Sequence, residues 1–164
     1  PVYLIPCLLI FTLNVAMNIT FREAATADLP AILTLYAELG EDDGTVLGLD
    51  EAARIFARLR LYPDYRIYVA LEGDTITATF ALLIMDNLAH RGARSAILED
   101  VVVTKGRRGQ GIGKQMMAFA GGLCRQKGCY KMALNSNKRR TKAHRFYEAL
   151  GFEQHGVSYA MDIL

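Results

Sequence analysis

A chain of 164 residues can form one ordinary domain, and its 52% hydrophobic and 22% charged residues are typical of a globular protein rather than a disordered or fibrous one. The net charge of +2 is too small to indicate a partner such as nucleic acid. The three cysteines, Cys7, Cys124 and Cys129, match no disulfide or metal-ligand spacing, which favours reduced thiols in a cytoplasmic protein without a metal site.

The first 16 residues are almost wholly apolar, but they contain the helix-breaking Pro6 and no basic residue. A bilayer-spanning helix needs roughly 20 apolar residues, and a signal peptide begins with positive charge. Residues 1–16 fit neither class. We therefore expect no membrane partner and a single domain over residues 17–164. The apolar leader over residues 1–16 either lies outside the fold or packs on the domain or on a partner.

Beyond Met17 the chain alternates between strand and helix patterns, with no linker that divides it. A first strand over residues 18–24 precedes a helix that Thr26 or Asp28 can cap and that ends before Gly40, and a second helix follows Asp50. Three strands are then predicted over residues 66–71, 75–85 and 95–103. Their short connections make them antiparallel neighbours. A helix over residues 113–127, a strand over 129–137 and a helix over 141–152 complete a mixed α/β pattern.

The stretch "VVVTKGRRGQGIGKQMMAFA", residues 101–120, places four glycines and four basic residues between a strand and a helix. The first N–H groups of a helix have no intrahelical partner, and the helix dipole is positive there. Glycines adopt positive φ and let several N–H groups surround one anion. The turn therefore predicts a phosphate site, although a basic solvated loop that caps the helix is the simpler alternative.

Two common phosphate loops do not match this turn. A Walker A motif would place its first glycine at Arg108 and a hydroxyl residue at Gln115, and a dinucleotide fingerprint would need glycine at Lys114. The remaining pattern, Arg108-x-x-Gly111-x-Gly113, resembles the pyrophosphate loop of the GNAT superfamily of acyl-CoA-dependent N-acetyltransferases.

The chain after this loop is also similar to that superfamily. A strand and a helix follow in the same order, with Asn137 before the helix, the pair Phe146-Tyr147 within it, and "LGF" at residues 150–152. The resemblance implies an α+β domain with a mostly antiparallel sheet, splayed central strands and flanking helices. It also implies acetyl-CoA as cosubstrate.

The same resemblance implies which residues contact acetyl-CoA. They lie at the strand end, in the glycine turn and near the last helix: Val101, Val102, Val103, Arg108, Gly109, Gln110, Gly111, Ile112, Gly113, Lys114, Asn137 and Tyr147. The basic run at residues 138–140 either reaches the 3′-phosphate of CoA or solvates a loop.

Acetyl transfer to an amine needs a base for the amine proton, a donor for the developing oxyanion and an acid for the departing thiolate. Glu99 and Asp100 are adjacent on a strand, so alternation predicts that only one of them faces the substrate. We favour Glu99 as base, by resemblance, with Asp100 as the alternative or as a structural charge. Tyr147 is the candidate acid, with a packing tyrosine as its alternative.

The acceptor is expected to be the primary amine of a small molecule that attacks acetyl-CoA directly. "EDVVV" resembles glucosamine-phosphate acetyltransferases and "NSNKRRTKAHRFY" resembles aminoalkylphosphonate acetyltransferases, but Leu134-Asn135 replaces the Asp-Cys pair of the first group. The acidic loop at residues 40–44 either attracts a cationic amine or is merely exposed. A protein N-acetyltransferase and a non-catalytic acyl-CoA-binding module are the alternatives, and the sequence leaves a homodimer open.

Overall fold

The computed structural model describes residues 18–161 and residue 163, so the apolar leader and its junction at Met17 lie outside the described residues. The strands are β1 (Ile19–Glu23), β2 (Tyr65–Glu72), β3 (Thr75–Met85), β4 (Arg94–Val103) and β5 (Cys129–Leu134). The helices are α1 (Leu29–Leu39), α2 (Leu49–Leu59), α3 (Ile112–Gln126) and α4 (Thr141–Glu148).

One sheet contains the strands in chain order, β1-β2-β3-β4-β5. The first four strands pair antiparallel, and β5 pairs parallel to β4 because the chain crosses over through α3. The predicted mixed, mostly antiparallel α+β fold is confirmed, and β3 has the bounds that the sequence predicted.

Helix α3 covers one face of the sheet with a continuous apolar stripe. Met116, Ala120 and Cys124 pack against β3 and β4 residues such as Phe80 and Leu98. Aromatic rings join the same layer, and they stack or meet edge to face: Phe21, Tyr68, Phe80 and Phe119. The stripe holds the N-terminus of α3 at the end of β4.

Helices α1 and α2 cover the opposite face. Ile32 of α1 and Phe56 of α2 pack against Ile67, Val69 and Ala81 of the sheet, and all five residues are buried. Helix α1 ends at Gly40, whose φ of 80° is the left-handed cap conformation that glycine adopts without strain. The sheet is therefore buried on both faces, and its functional surface must lie at a strand end or an edge.

Two elements near the C-terminus are shorter than predicted. Strand β5 ends at Leu134 rather than at residue 137, because its last pairing with β4 joins Leu98 to Leu134. Helix α4 ends at Glu148 rather than at residue 152, because the chain turns through Gly151, whose φ is +87°. An apolar pattern continues past the end of α4, whereas the residues after β5, Asn135 to Asn137, are polar.

The residues after α4 form no strand or helix in the part that the structure describes. Val157, Tyr159, Met161 and Ile163 alternate along this segment, as strand residues do, and are each more than three-quarters exposed. No helix in the described part of the chain is long and apolar enough to span a bilayer.

The buried carboxylate of Asp28 stabilises the turn that leads into α1. Asp28 is only 8% exposed. It accepts hydrogen bonds from Arg22 Nη2 at 2.8 Å and from the Ala25 N–H at 2.7 Å. Arg22 chiefly holds the pKa of Asp28 below its ordinary value of 3.8, assisted by the Ala25 N–H. The network therefore stabilises the fold only while Asp28 is ionised.

We expect Asp28→Asn to destabilise the fold by about 1–3 kcal/mol at pH 7, because the amide nitrogen that replaces one carboxylate oxygen cannot accept the hydrogen bond made there. Since the folded-state pKa is lowered, the contribution is complete above the unfolded-state pKa and is lost as pH falls through the folded value. Urea unfolding between pH 7 and pH 3 measures both effects. Asp74→Asn, in the exposed turn between β2 and β3, is the control. Equal stability of Asp28→Asn and wild type at pH 7 would contradict this account.

Candidate functional site

Strands β4 and β5 separate midway along the sheet. Their parallel pairing runs from Arg94 with Cys129 to Leu98 with Leu134, whereas β4 continues to Val103. Strand β4 therefore extends five residues beyond the last one that pairs with β5. The predicted splayed central strands are present, and a cleft opens between them.

A β-bulge lies in β4 at the mouth of this cleft. Thr79 pairs with Val102 and Ala81 pairs with Glu99, so Phe80 opposes two residues of β4. Asp100, one of those two, has φ = 51°, a left-handed conformation that Asp tolerates better than most residues.

The bulge interrupts strand alternation beside the candidate base. Glu99 and Asp100 were predicted to face opposite sides of the sheet, and both residues line the cleft together with Leu98 and Val101. An extra residue rotates the backbone of a bulged strand locally, so alternation does not hold across it. Which of the two carboxylates faces the substrate stays a prediction.

The cleft has a volume of about 170 Å³. Its walls combine the end of α1, the bulge of β4, the chain after β5 and one face of α4, and their cleft-lining residues include Leu39, Glu99, Asp100, Val101, Asn135, Ser136, Asn137, Arg140 and Tyr147. Predicted Glu99, Val101, Asn137 and Tyr147 are thus brought together. Asn135, Ser136 and Arg140 were missed as cleft residues, because nothing in their sequence spacing indicates where the strands diverge.

Burial shifts the pKa values of two ionisable side chains in the cleft. Burial, followed by the charge of Asp100, raises the pKa of Glu99 above its ordinary value of 4.5. Burial also raises the pKa of Tyr147, although Arg140 opposes that shift, so the phenol stays protonated at neutral pH. The rings of Phe146 and Phe152 pack against Tyr147 at centroid distances of 5.1 and 5.5 Å and fix its place.

The charge of Asp100 also affects the pKa values of two tyrosines on the α1 side, which sequence reasoning missed. Burial is the main reason why the pKa of Tyr36 and of Tyr65 is raised, and the charge of Asp100 adds to both shifts. Tyr36 lies on α1 and Tyr65 begins β2, so the bulge carboxylate lies where those elements meet β4.

The glycine turn forms the N-terminus of α3, as predicted. Gly109 and Gly111 have φ of 76° and 85°, and Gly111 is the N-cap. The Gln115 N–H donates to the Gly111 carbonyl, so the N–H groups of Ile112, Gly113 and Lys114 precede the first intrahelical bond. These donors and the helix dipole suit a phosphate.

The remaining predicted cofactor residues lie around this turn in different roles. The side chains of Val102 and Ile112 are buried at 3% and 1% exposure, so they offer a ligand only backbone atoms. Val103 packs against the core, and its carbonyl accepts a 2.8 Å bond from Arg108 Nε. Lys114 is exposed, and Gln110 Nε2 donates to the Gly106 carbonyl at 3.2 Å.

Gly113 and Asn137 have structural reasons for their identity. A Cβ on Gly113 would come within 3.0 Å of Phe146 Cζ, so α3 and α4 approach closely only because residue 113 has no side chain. Asn137 Oδ1 accepts the Arg139 N–H at 3.0 Å, and the Asn137 carbonyl lies 3.0 Å from His144 Nε2. Asn137 therefore shapes the turn before α4.

Comparison with known proteins gives the family. The Acetyltransferase (GNAT) family matches residues 29–152, which is most of the chain. The chain belongs to the GNAT family of acetyltransferases. The predicted superfamily and enzyme class are confirmed, because its curated relatives are N-acetyltransferases.

Two curated relatives and one solved structure illustrate the likeness. Glucosamine 6-phosphate N-acetyltransferase of Trypanosoma brucei brucei is 29% identical over 147 residues, covering 90% of this chain and 97% of the relative. Aminoalkylphosphonate N-acetyltransferase of Salmonella typhimurium is 30% identical, covering 81% and 84%. A putative acetyltransferase from Agrobacterium tumefaciens superposes with a TM-score of 0.81 at 34% identity, covering 87% and 99%.

We expect Gly111→Val to weaken acetyl-CoA binding at least about tenfold, because a β-branched residue at φ = 85° costs of order 1–3 kcal/mol and displaces the donors. Calorimetric titration with acetyl-CoA measures the effect. Gly122→Ala, in the middle of α3 with open space around it, is the matched control. A folded Gly111→Val protein with wild-type affinity would show that acetyl-CoA does not use this turn.

Proposed function

We propose that this GNAT acetyltransferase transfers an acetyl group from acetyl-CoA to the primary amine of a small molecule, by direct attack in a ternary complex. The observation that carries the proposal is the cleft where β4 and β5 separate. It brings a carboxylate, Glu99, and a phenol, Tyr147, into one space next to the glycine turn.

The donor would lie along the length of this cleft. The N–H groups at the start of α3 would bind its pyrophosphate, with Arg108 and Lys114 adding positive charge. The edge of β4 at Val101 and Val102, beyond the last pairing with β5 at Leu98, would bind the pantetheine arm as a further strand would. A thioester that enters from the turn would then reach the bulge, where backbone N–H groups can stabilise developing negative charge.

Proton transfer divides between the two side chains. A free alkyl ammonium has a pKa near 10, so the amine must lose a proton before it attacks. Glu99, with its raised pKa, accepts that proton directly or through water. As the C–N bond forms and the C–S bond breaks, the Tyr147 hydroxyl donates its proton to the departing sulfur.

The thiols support direct transfer rather than an acetyl-cysteine intermediate. Cys124 is buried in the α3 stripe, and burial is the main reason why its pKa rises to about 11. Burial also raises the pKa of Cys129. Nucleophilic cysteines have lowered pKa values, and neither thiol lines the cleft. Both thiols are free, which agrees with the proposed cytoplasmic location.

The charges of the cleft favour a small acceptor that carries both an amine and an anionic group. Asp100 can pair with a cationic amine, and Arg140 adds a positive group to the same wall. The relatives that acetylate glucosamine 6-phosphate and aminoalkylphosphonates act on small amines that carry an anionic group, and this cleft is suited to such acceptors. The acidic loop at residues 40–44 and a homodimer remain predictions.

We expect Glu99→Gln to lower kcat about 10²–10⁴-fold and to remove the acidic limb of the pH–rate profile. The limb exists because Glu99 must be ionised, so the wild-type rate rises with pH through its raised pKa. Asp100→Asn should move the limb to lower pH, since the Asp100 charge raises that pKa. Glu153→Gln, on the exposed C-terminal segment, is the control. Loss of the limb in Asp100→Asn, but not in Glu99→Gln, would make Asp100 the base.

We expect Tyr147→Phe to keep acetyl-CoA affinity and to lower turnover about 10²–10⁴-fold, because it removes one proton donor and keeps the ring packing. A panel of small amines, monitored by release of free thiol, supplies the acceptor, and Tyr130→Phe on β5 is the matched control. Wild-type turnover in Tyr147→Phe would assign the proton to water. A wild-type protein that acetylates only peptides would favour a protein N-acetyltransferase. One that binds acetyl-CoA but acetylates nothing would favour a non-catalytic acyl-CoA-binding module.

A further inference from the structure

A single carboxylate joins α1 to the start of the glycine turn. Glu38, in the last turn of α1, accepts a 2.9 Å hydrogen bond from the Thr104 hydroxyl and a 2.6 Å bond from the Lys105 N–H. These partners are 66 and 67 residues away in the chain. The two carboxylate oxygens thus accept hydrogen bonds from the first two residues after β4.

The other bonds described for this turn do not join it to α1. The Thr104 N–H donates to the Thr77 carbonyl at 2.9 Å, and the Arg107 N–H donates to the Thr104 carbonyl at 2.9 Å. Arg108 Nε donates to the Val103 carbonyl. Arg107 also forms a 2.7 Å ion pair with Glu72 of β2, but through side chains alone. Glu38 is therefore the described side chain that connects α1 to the turn's backbone.

Glu38 is negatively charged, so it cannot serve to attract a donor that carries phosphate. The Lys105 N–H is the main cause of a lowered pKa at Glu38, and the Thr104 hydroxyl, Arg108 and Lys105 lower it further. Glu38 is thus ionised at neutral pH, beside a turn expected to bind a dianionic pyrophosphate. Coulombic repulsion alone would make it unfavourable there.

We propose that Glu38 is a positioning residue for the acyl donor. It fixes Thr104 and Lys105 so that the turn presents the N–H groups of residues 112–114 in a ready geometry, and the gain in preorganisation exceeds the repulsion. Because Leu39, the next residue, lines the cleft, α1 places the donor turn and one wall of the acceptor space together. This inference rests on the proposed function.

Positioning of the turn and repulsion of the phosphates predict opposite changes in CoA affinity when the charge of Glu38 is removed. Glu38→Gln weakens the bond from the Lys105 N–H, because a neutral amide oxygen is a weaker acceptor than a carboxylate oxygen. Positioning then predicts weaker CoA binding by about tenfold or more, whereas repulsion predicts tighter binding. Glu72→Gln is the matched control: it removes an equal charge near the same turn but no backbone bond, so CoA affinity should stay equal or increase.

A second donor separates positioning from a general loss of structure. S-acetylpantetheine has the thioester and the arm but no pyrophosphate. With an amine from the panel, Glu38→Gln should lower kcat/KM for acetyl-CoA about tenfold, through KM, and leave kcat/KM for S-acetylpantetheine unchanged. A merely structural defect would lower both values equally.

Calorimetric titration of CoA into wild type, Glu38→Gln, Glu72→Gln and Thr104→Val tests the inference. Thr104→Val removes the other bond without changing charge, so it should weaken binding in the same direction and remains informative if Glu38→Gln does not fold. Wild-type or tighter CoA binding in Glu38→Gln or in Thr104→Val overturns the positioning role while leaving the proposed function intact. A wild-type protein that does not bind CoA overturns both.

Discussion

The separation of β4 from β5 is the constraint on which the site depends. Pairing stops after Leu98 because the β-bulge at Asp100 turns β4 away from its neighbour, and the bulge is held by antiparallel pairing with β3 on the other side. The space beside β4 that further residues of β5 would fill becomes the cleft. A regular sheet would join the backbone groups of the two strands, and no cleft would remain.

The rest of the architecture holds the cleft open between fixed walls. Helix α3 is anchored by its buried stripe, so its N-terminus, where we propose that phosphate binds, stays at the end of β4. Helix α4 forms another wall through Ala143 and Tyr147, and α1 contributes its last residue, Leu39. Each wall belongs to an element whose position is set by core packing rather than by the ligand, which agrees with a preformed site.

Much of this architecture was predictable because it follows from local periodicity. The bounds of β3 and the start of α4 agree with prediction, and the predicted α3 began one residue late, because strand and helix spacing are local signals. The glycine turn was predictable for the same reason: positive φ at Gly109 and Gly111 is a property of glycine. The bulge was not, since Asp100 has an ordinary strand residue on either side. Contacts between distant residues, such as Glu38 with Lys105 and Arg140 with the cleft, leave no trace in sequence spacing.

The contact between Gly113 and Phe146 fixes how closely α3 and α4 approach each other. Gly113 belongs to the helix end suited to phosphate, and Phe146 adjoins the phenol suited to the departing sulfur. With a bare glycine against a ring, α3 and α4 cannot approach further, and any side chain at residue 113 would push them apart. For a carrier held at that helix end, the distance from its phosphates to the reacting sulfur is therefore fixed by the protein. Acyl carriers with a shorter or longer arm would present their sulfur away from Tyr147, so the same contact would select donors by the length of the arm.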